Sequence, residues 1–140
     1  PCARAIAKAV FEAREHIDTT TDLAENVRHA LLRVARDMEE ADITRSIRRT
    51  FQALRIEVND EFSALEQFLR NLPVCLRSKG RAAILTFHSG EHDRVDRFLE
   101  AGLASGVYES ISRDPLKATR EECYDNPRAK SALLRWAIKK

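Results

Sequence analysis

A histidine and a serine end the most apolar short run of the sequence. The run RAAILTFHS covers residues 81–89, and Gly90 and a helix-like segment follow it. Its length and its flanks predict a strand that is buried on both faces. Because ligands of open α/β sheets bind at the carboxyl ends of strands, His88 and Ser89 are candidate site residues. The alternative is that both residues only cap the next helix, since serine is a preferred N-cap.

Three polar side chains with planar hydrogen-bonding groups recur at helical spacing in the segment TFQALRIEVNDEF. Gln52, Arg55 and Asn59 are three and four residues apart, so they share one face of a helix. Such groups bind base edges and phosphates well, and they serve equally well to tie a helix to a neighbouring loop. The apolar spacing predicts one long helix from about residue 50 to residue 72, which Pro73 ends or kinks.

Positive charge is concentrated in two stretches. Residues 45–56 carry four arginines and no acidic residue, and residues 112–140 carry eight basic and four acidic residues. Together the stretches would form a phosphate-binding face, and the alternative is two separate solvated faces. In the second stretch the segment DNPRAKS precedes the last strand, where Asn126, Arg128 and Lys130 are candidate phosphate contacts or parts of a structural turn.

The hydrophobic pattern predicts helices first and a mixed α/β region after them. A helix is expected over residues 3–15, and a second helix begins with Thr19 or Thr20 as its N-cap. The apolar stripe of that second helix consists of Leu23, Val27, Leu31, Val34 and Met38.

The second half of the chain is expected to alternate strands and helices. After the strand at 81–89, an amphipathic helix buries Val95, Phe98 and Leu99, and Gly102 stops it. A short strand over residues 107–112, a short helix around residues 119–124 and a final strand LLRWAIKK complete the prediction.

Composition excludes several classes of protein. The chain has 140 residues, of which 44% are apolar and 33% charged, as in a soluble globular protein of one domain or two small lobes. No apolar run approaches the roughly 20 residues that span a bilayer, and the first residues lack the pattern of a signal peptide. The three cysteines are far apart, which predicts reduced thiols in the cytoplasm and no zinc site. Glycine-rich nucleotide-binding motifs are absent from the sequence.

Three segments, in this order, resemble one family. RRTFQALRIEVNDEF, ILTFHSGEHDRVDRF and NPRAKSALLR are similar to the C-terminal half of the MraW-type S-adenosylmethionine-dependent methyltransferases. These enzymes methylate the exocyclic N4 of a cytosine in 16S ribosomal RNA. Upstream, ARAIAKAVFEAREHIDTTTDLAENV resembles the later helices of the family's inserted substrate-recognition domain. Residues 46–49 and 90–92 depart from the family pattern, which indicates a divergent member.

The resemblance implies an α/β fold that is incomplete on its own. Residues 1–45 would be a helical lobe, a remnant of the inserted domain. Residues 46–140 would be the C-terminal part of a Rossmann-like methyltransferase sheet with about three strands, the last one antiparallel. The other edge of the strand at 81–89 then lacks its usual neighbour. An unpaired apolar edge favours a homodimer or a complementing N-terminal half.

The resemblance also implies roles for the candidate residues. Arg48, Arg49, Arg55, Arg128 and Lys130 would contact phosphates of small-subunit ribosomal RNA, with Asn126 in the same basic loop. Gln52, Asn59, His88 and Ser89 would line the methyl-transfer cleft. Orientation does most of the work in such a transfer, so positioning groups and a weak proton acceptor suffice, and the resemblance identifies no catalytic residue.

The cofactor is expected to bind elsewhere. The family's glycine-rich loop and its ribose-binding acidic residue lie in the N-terminal half, which has no counterpart among these residues. S-adenosylmethionine is therefore the cofactor of the complete family enzyme, and none is expected to bind this chain alone. Two alternatives for the function of this chain follow. It is part of a cytoplasmic rRNA cytosine-N4 methyltransferase, or it is a non-catalytic RNA- or partner-binding module without the cofactor site.

Overall fold

A computed structural model describes residues 2–140, and contacts divide the chain into two compact units. The first extends to Asn59 and the second comprises Asp60–Lys140. Each unit has its own cluster of buried apolar side chains. The domain boundary at residues 45/46 rests on the family resemblance and stays a prediction about the origin of the two parts.

The first unit is helical. Its elements are α1 (Ala3–Ala13), a 3₁₀ turn (Arg14–His16), α2 (Thr20–Val34) and α3 (Glu40–Val58). The predicted start of α2 is confirmed, because the Thr19 hydroxyl accepts from the Asp22 amide and the Asp22 carboxylate accepts from the Thr19 amide. This reciprocal capping box satisfies two amides that the helix itself leaves free.

A small core holds the first unit together. Val27 and Leu31 of α2 and Ile43 of α3 are at most 2% exposed. Leu23 and Met38 pack against them, as the predicted stripe requires. The prediction was wrong for Val34, which is 56% exposed, because the helix ends at this residue.

The second unit combines helices with a four-stranded sheet. Its elements are α4 (Glu61–Cys75), β1 (Arg81–Thr86), α5 (Ser89–Ala104), β2 (Tyr108–Ile111), β3 (Leu116–Lys117), α6 (Arg120–Asp125), a 3₁₀ helix (Pro127–Ser131) and β4 (Leu133–Lys139). The strand order is β1-β4-β2, with β3 also paired to β4. The predicted antiparallel pairing of the last strand with β1 is confirmed. The sequence pattern missed β3, which has only two residues.

One face of the sheet is covered and the other carries exposed apolar side chains. On the covered face, Tyr108 and Ala137 pack against Leu69 of α4 and Val95 and Leu99 of α5. The prediction that β1 is buried on both faces was wrong. Its side chains alternate in burial, and Leu85 is 52% exposed.

The expected long helix is two helices. Its interruption lies at Asn59 and Asp60, where Asp60 adopts the left-handed conformation with φ 49°. Asn and Asp compete with the helix for backbone hydrogen bonds, and they tolerate this conformation better than most residues. Pro73 does not end α4, which continues to Cys75. It lies in the last turn, where its missing N–H removes one backbone hydrogen bond.

Gly102 is not the stop of its helix. The helix α5 continues to Ala104, and the chain turns at Gly106, whose φ is 73°. A Cβ at position 102 would lie 2.5 Å from Cδ2 of Tyr108. Glycine is present here because the ring of Tyr108 approaches the helix backbone, which the sequence pattern could not indicate.

Candidate functional site

The register of the sheet brings two groups of candidate residues to the same end of the second unit. Thr86, the last residue of β1, lies opposite Leu133, the first residue of β4. The Thr86 hydroxyl donates to the Leu133 carbonyl at 3.2 Å. His88 and Ser89 directly follow β1, and the segment from Asn126 to Lys130 directly precedes β4. The strand pairing therefore places both groups at the same end of the sheet.

His88 is the N-cap of α5. Its Nδ1 accepts from the Glu91 amide at 3.3 Å, and the Glu91 carboxylate accepts from the Phe87 amide at 2.9 Å. The His88 Nε2 atom is buried and lies 3.3 Å from Oε1 of Glu91, without the alignment of a hydrogen bond. The capping interpretation thus holds for Nδ1, while Nε2 is the nitrogen that remains for another partner. Ser89 is exposed at the first helical position.

A small cavity of about 100 Å³ lies beside His88. Its lining includes Phe62, Thr86 and Glu91. The Phe62 ring meets the His88 ring edge to face at 6.0 Å between centroids. The guanidinium of Arg94 lies 3.6 Å from the centroid of the Phe62 ring, and its Nη1 donates to the Gly90 carbonyl. The imidazole is therefore held by its ring contact as well as by its cap, which fixes its orientation.

The basic segment before β4 is rigid at its start and exposed at its charged groups. Asn126 caps the 3₁₀ helix, with its Oδ1 accepting from the Arg128 amide at 3.2 Å. Ala129 is buried and anchors the turn, whereas Arg128 and Lys130 are exposed. Exposed cations on an anchored turn are suited to binding phosphate oxygens.

The remaining candidates belong to the first unit. Arg48, Arg49, Gln52 and Arg55 lie on α3, and Asn59 is its C-cap. Arg48 and Arg49 are exposed, while Gln52 is half-buried. Arg55 and Asn59 engage other groups of the protein. The structure thus places the ten candidate residues on two units.

Sequence reasoning missed a buried charged cluster in the second unit. Arg135 of β4 is 3% exposed, and its Nε lies 2.9 Å from Oδ1 of Asp96. The other oxygen of Asp96 lies 3.1 Å from Nε2 of His92. Arg135 also donates to the Arg113 carbonyl at 3.2 Å. The only signal was that Asp96 and His92 are one helical turn apart. This cluster ties α5 and the segment after β2 to the central strand.

Among residues 2–140, no group of three or more histidine, cysteine, aspartate or glutamate side chains is arranged to hold a metal ion. No helix in this described range is long and apolar enough to cross a membrane. Cys2, Cys75 and Cys123 are free thiols.

In the second unit, helices pack on one face of a sheet, and the last strand of the chain, β4, is antiparallel to its neighbours. This arrangement defines a partial Rossmann-like methyltransferase fold. The chain belongs to the MraW methylase family, whose sequence profile matches residues 1–140.

Curated relatives carry the same family relationship. The chain is 44% identical to "Ribosomal RNA small subunit methyltransferase H 2" of Alkaliphilus metalliredigens over 142 residues, which is 99% of this chain and 41% of the relative. It is 41% identical to "Ribosomal RNA small subunit methyltransferase H 1" of Lachnoclostridium phytofermentans, covering 99% of the chain and 39% of the relative. With the Deinococcus radiodurans relative the identity is 42%, over 95% of the chain and 40% of the relative. The chain spans about two fifths of the length of these relatives.

The end of the sheet does not fit the family's cofactor. The cavity of about 100 Å³ is smaller than the roughly 300–1,000 Å³ typical of small-molecule sites. The sequence also has no glycine-rich loop that would hold a nucleoside. The pocket beside His88 is therefore too small to enclose S-adenosylmethionine.

Proposed function

We propose that this chain is the part of an S-adenosylmethionine-dependent rRNA cytosine-N4 methyltransferase that binds RNA and positions the target. The observation that carries the proposal is the gathering of His88, Ser89 and the basic segment 126–130 at one end of the sheet, in a member of this family. Exposed cations at the end of the sheet that also carries a small pocket are suited to a nucleotide, with its phosphate on the cations and part of its base at the pocket.

The individual roles follow from the surroundings of each side chain. Arg128 and Lys130 bind phosphates, as Arg48 and Arg55 do on α3 of the first unit, whereas Arg49 lines a groove along α1 and α3. His88 and Ser89 orient the target base at the sheet end, and Gln52 and Asn59 are RNA contacts of α3 in the first unit. Asn126 holds the basic turn in shape, because its carbonyl oxygen caps the Arg128 amide.

The exposed face of the sheet supports a further part of this proposal, a complementing N-terminal half that supplies the cofactor site. On this face Leu85 lies opposite Leu134, and Ala83 lies opposite Trp136. Leu85 and Leu116 are 52% and 54% exposed, and β1 is the edge strand. Apolar rows on an open face and an open edge are features that a further layer and a further strand would cover.

Calorimetric titration of the purified chain with a small-subunit rRNA fragment tests the proposal. At about 50 mM salt we expect binding, and at about 200 mM salt a marked loss of affinity, because phosphate contacts release counterions. Replacing both Arg128 and Lys130 by alanine should weaken binding and reduce the salt dependence by about one unit of slope per lost contact. Arg97→Ala, an exposed arginine midway along α5, is the matched control.

Absence of RNA binding, or equal binding by the double variant, would contradict the positioning role. A parallel titration with S-adenosylmethionine tests the second part of the proposal. Micromolar affinity for the cofactor would contradict a cofactor site supplied by another part of the enzyme.

The second candidate function is a non-catalytic RNA- or partner-binding module of the cytoplasm. The small cavity favours it, since the pocket beside His88 is too small for S-adenosylmethionine. The two candidates differ when the chain is mixed with the unmatched part of the Alkaliphilus metalliredigens relative. Restored methylation of the rRNA fragment supports the methyltransferase, and a stable but inactive complex supports the module.

A further inference from the structure

The first unit carries a large groove that its candidate RNA contacts do not explain. The groove has a volume of about 930 Å³ and runs along α1 and α3. Its apolar lining includes Cys2, Ile6, Val10, Phe11, Met38 and Leu54. Phe11 is 67% exposed and Leu54 is 40% exposed. Contiguous apolar surface of this kind marks a site of interaction with another chain or segment.

The shape of the groove fits a helix. The eleven residues of α1 extend about 16 Å at 1.5 Å per residue, so one wall is three turns long. Ile6, Val10 and Phe11 recur at helical spacing and give this wall the ridges against which a further helix packs. The exposed alanines Ala7 and Ala53 keep the floor of the groove low, which allows a helix backbone to approach.

The charges at the rim favour a protein segment over nucleic acid. The Arg14 guanidinium already stacks on the Phe11 ring at 4.5 Å and donates to the Phe11 carbonyl. Arg45 is paired with Asp42 at 2.6 Å. Arg49 alone then remains at this rim for a new partner, which is little charge for a phosphate backbone but matches one carboxylate on a helix.

We propose that this groove is the docking site of an amphipathic helix, with a carboxylate beside its apolar face, that belongs to the part of the methyltransferase this chain does not span. More than half of each relative lies outside the match, so such a segment is available in the same enzyme. A second copy of this chain fits less well, because two concave grooves facing each other across a twofold axis leave both unfilled. The surface is distinct from the open sheet face, which belongs to the second unit.

The thiol of Cys2 lies in the groove and reports on its occupancy. Synthetic peptides of about 20 residues, each long enough for a helix of about 30 Å, would tile the unmatched part of the Alkaliphilus metalliredigens relative. Alkylation of each cysteine is then followed by mass spectrometry. We expect one peptide with the stated pattern to slow alkylation of Cys2 about tenfold, as saturating binding would. Exposed Cys75, in the other unit, is the internal control and should react unchanged.

Two alanine substitutions on α3 test the position of the helix. Ala53→Gln fills the floor of the groove, and Ala41→Gln places the same side chain at an exposed site of α3 outside the groove lining. The first should weaken peptide binding about tenfold, and the second by less than about twofold. Circular dichroism verifies that both variants fold.

Three results would overturn the proposal. In the first, no peptide protects Cys2. In the second, a single-stranded RNA protects Cys2 in a salt-dependent manner and the peptides do not. In the third, protection appears only as the concentration of the chain itself is raised, which would identify a second copy as the occupant. None of these results bears on RNA binding at the sheet end, so failure here is distinguishable from failure of the proposed function.

Discussion

At the scale of single residues, His88 combines two roles that substitution can separate. Its Nδ1 caps α5, its buried Nε2 lies 3.3 Å from Oε1 of Glu91, and the residue lines the small cavity. A protein that needs only a cap at this position has better choices, since Asn, Asp and Ser are the preferred N-caps. The presence of a histidine therefore indicates a second role for this side chain on the cavity side, where Glu91 holds the orientation of the imidazole.

Replacement of His88 by alanine and by asparagine distinguishes the two roles. His88→Ala removes the cap acceptor and should lower the free energy of unfolding by about 1 kcal/mol. His88→Asn retains an acceptor and should stay close to the unsubstituted protein in stability. Urea denaturation followed by circular dichroism measures both values. If asparagine destabilises as much as alanine, the edge contact with Phe62 outweighs the cap and the separation of roles is wrong.

Local roles of single residues, such as helix caps, could be predicted from the sequence, whereas their contacts with distant residues could not. Thr19 as a cap follows from a local pattern of three residues, and the structure confirms it. The contacts of His88 with Phe62 depend on α4 packing beside β1, which no local pattern encodes. The same holds for the buried pair of Arg135 and Asp96, since a sequence shows only two charges and not the burial that joins them.

At the scale of elements, α5 and β2 can pack closely because Gly102 of α5 has no side chain where the Tyr108 ring of β2 lies. Gly102→Ala should lower the free energy of unfolding by about 1–3 kcal/mol, because the new Cβ would meet the ring of Tyr108 at 2.5 Å. Helix propensity alone predicts the opposite, a gain of about 1 kcal/mol. Ala101→Gly, at an exposed position next to it, measures the propensity effect separately. A stabilised Gly102→Ala variant would show that the ring moves aside without cost.

The ion pair between α2 and α3 makes the first unit sensitive to acid. Arg28 and Glu40 are joined by two contacts of 2.5 and 2.6 Å, and the hydrogen bond from Arg28 lowers the pKa of Glu40 below 4.5. Because the folded pKa is depressed, the pair stabilises the protein above pH 4.5, and the effect is lost as pH falls through the folded value.

We therefore expect Glu40→Gln to destabilise the first unit at pH 7 by a small amount that disappears in acid, since the pair is solvent-exposed. Urea denaturation at a series of pH values measures the difference between the variant and the unsubstituted protein. Glu39→Gln, at the adjacent exposed position, is the control and should show no such dependence. A difference that persists below the pKa of Glu40 would contradict the assignment to this pair.

The order of the larger elements was predictable, and their interruptions were not. Apolar periodicity located the helices and three of the strands, because burial of one face imposes it. The break at Asn59 and Asp60 was not predicted, because the apolar spacing continues across it. Only the left-handed backbone of Asp60 ends the helix. The end of α5 was mispredicted for a related reason. Position 102 is a glycine because the Tyr108 ring packs against it, and not because the helix ends there.

At the scale of the whole molecule, the open sheet face and the edge of β1 are the surfaces on which the proposed complementing half would pack. Leu85→Lys places a charge on this face at a residue that is 52% exposed, so the fold should tolerate it. Self-association, or binding of the unmatched part of a relative, should weaken at least about tenfold. Analytical ultracentrifugation measures both. Leu103→Lys, at an exposed leucine on α5, is the control, and equal weakening by both variants would contradict a role for the open face.

The incompleteness of the sheet could be inferred only through resemblance. Composition and length are those of a self-sufficient domain, and nothing in the hydrophobic pattern of β1 distinguishes a covered face from an open one. The strand alternates in burial in the structure although the residues RAAILT are mostly apolar on both sides. Apolar residues on the exposed side of the strand are the reason why the pattern suggested burial on both faces.

The position of Trp136 gives the protein an intrinsic optical reporter. It is the only tryptophan of the chain, and it lies half-buried on the open face of β4, the central strand of the sheet. Indole emission moves to shorter wavelength when water leaves the ring. A layer that covers this face would therefore shift the native tryptophan emission to shorter wavelength, without any label. Docking of a helix in the groove of the first unit would leave the same spectrum unchanged.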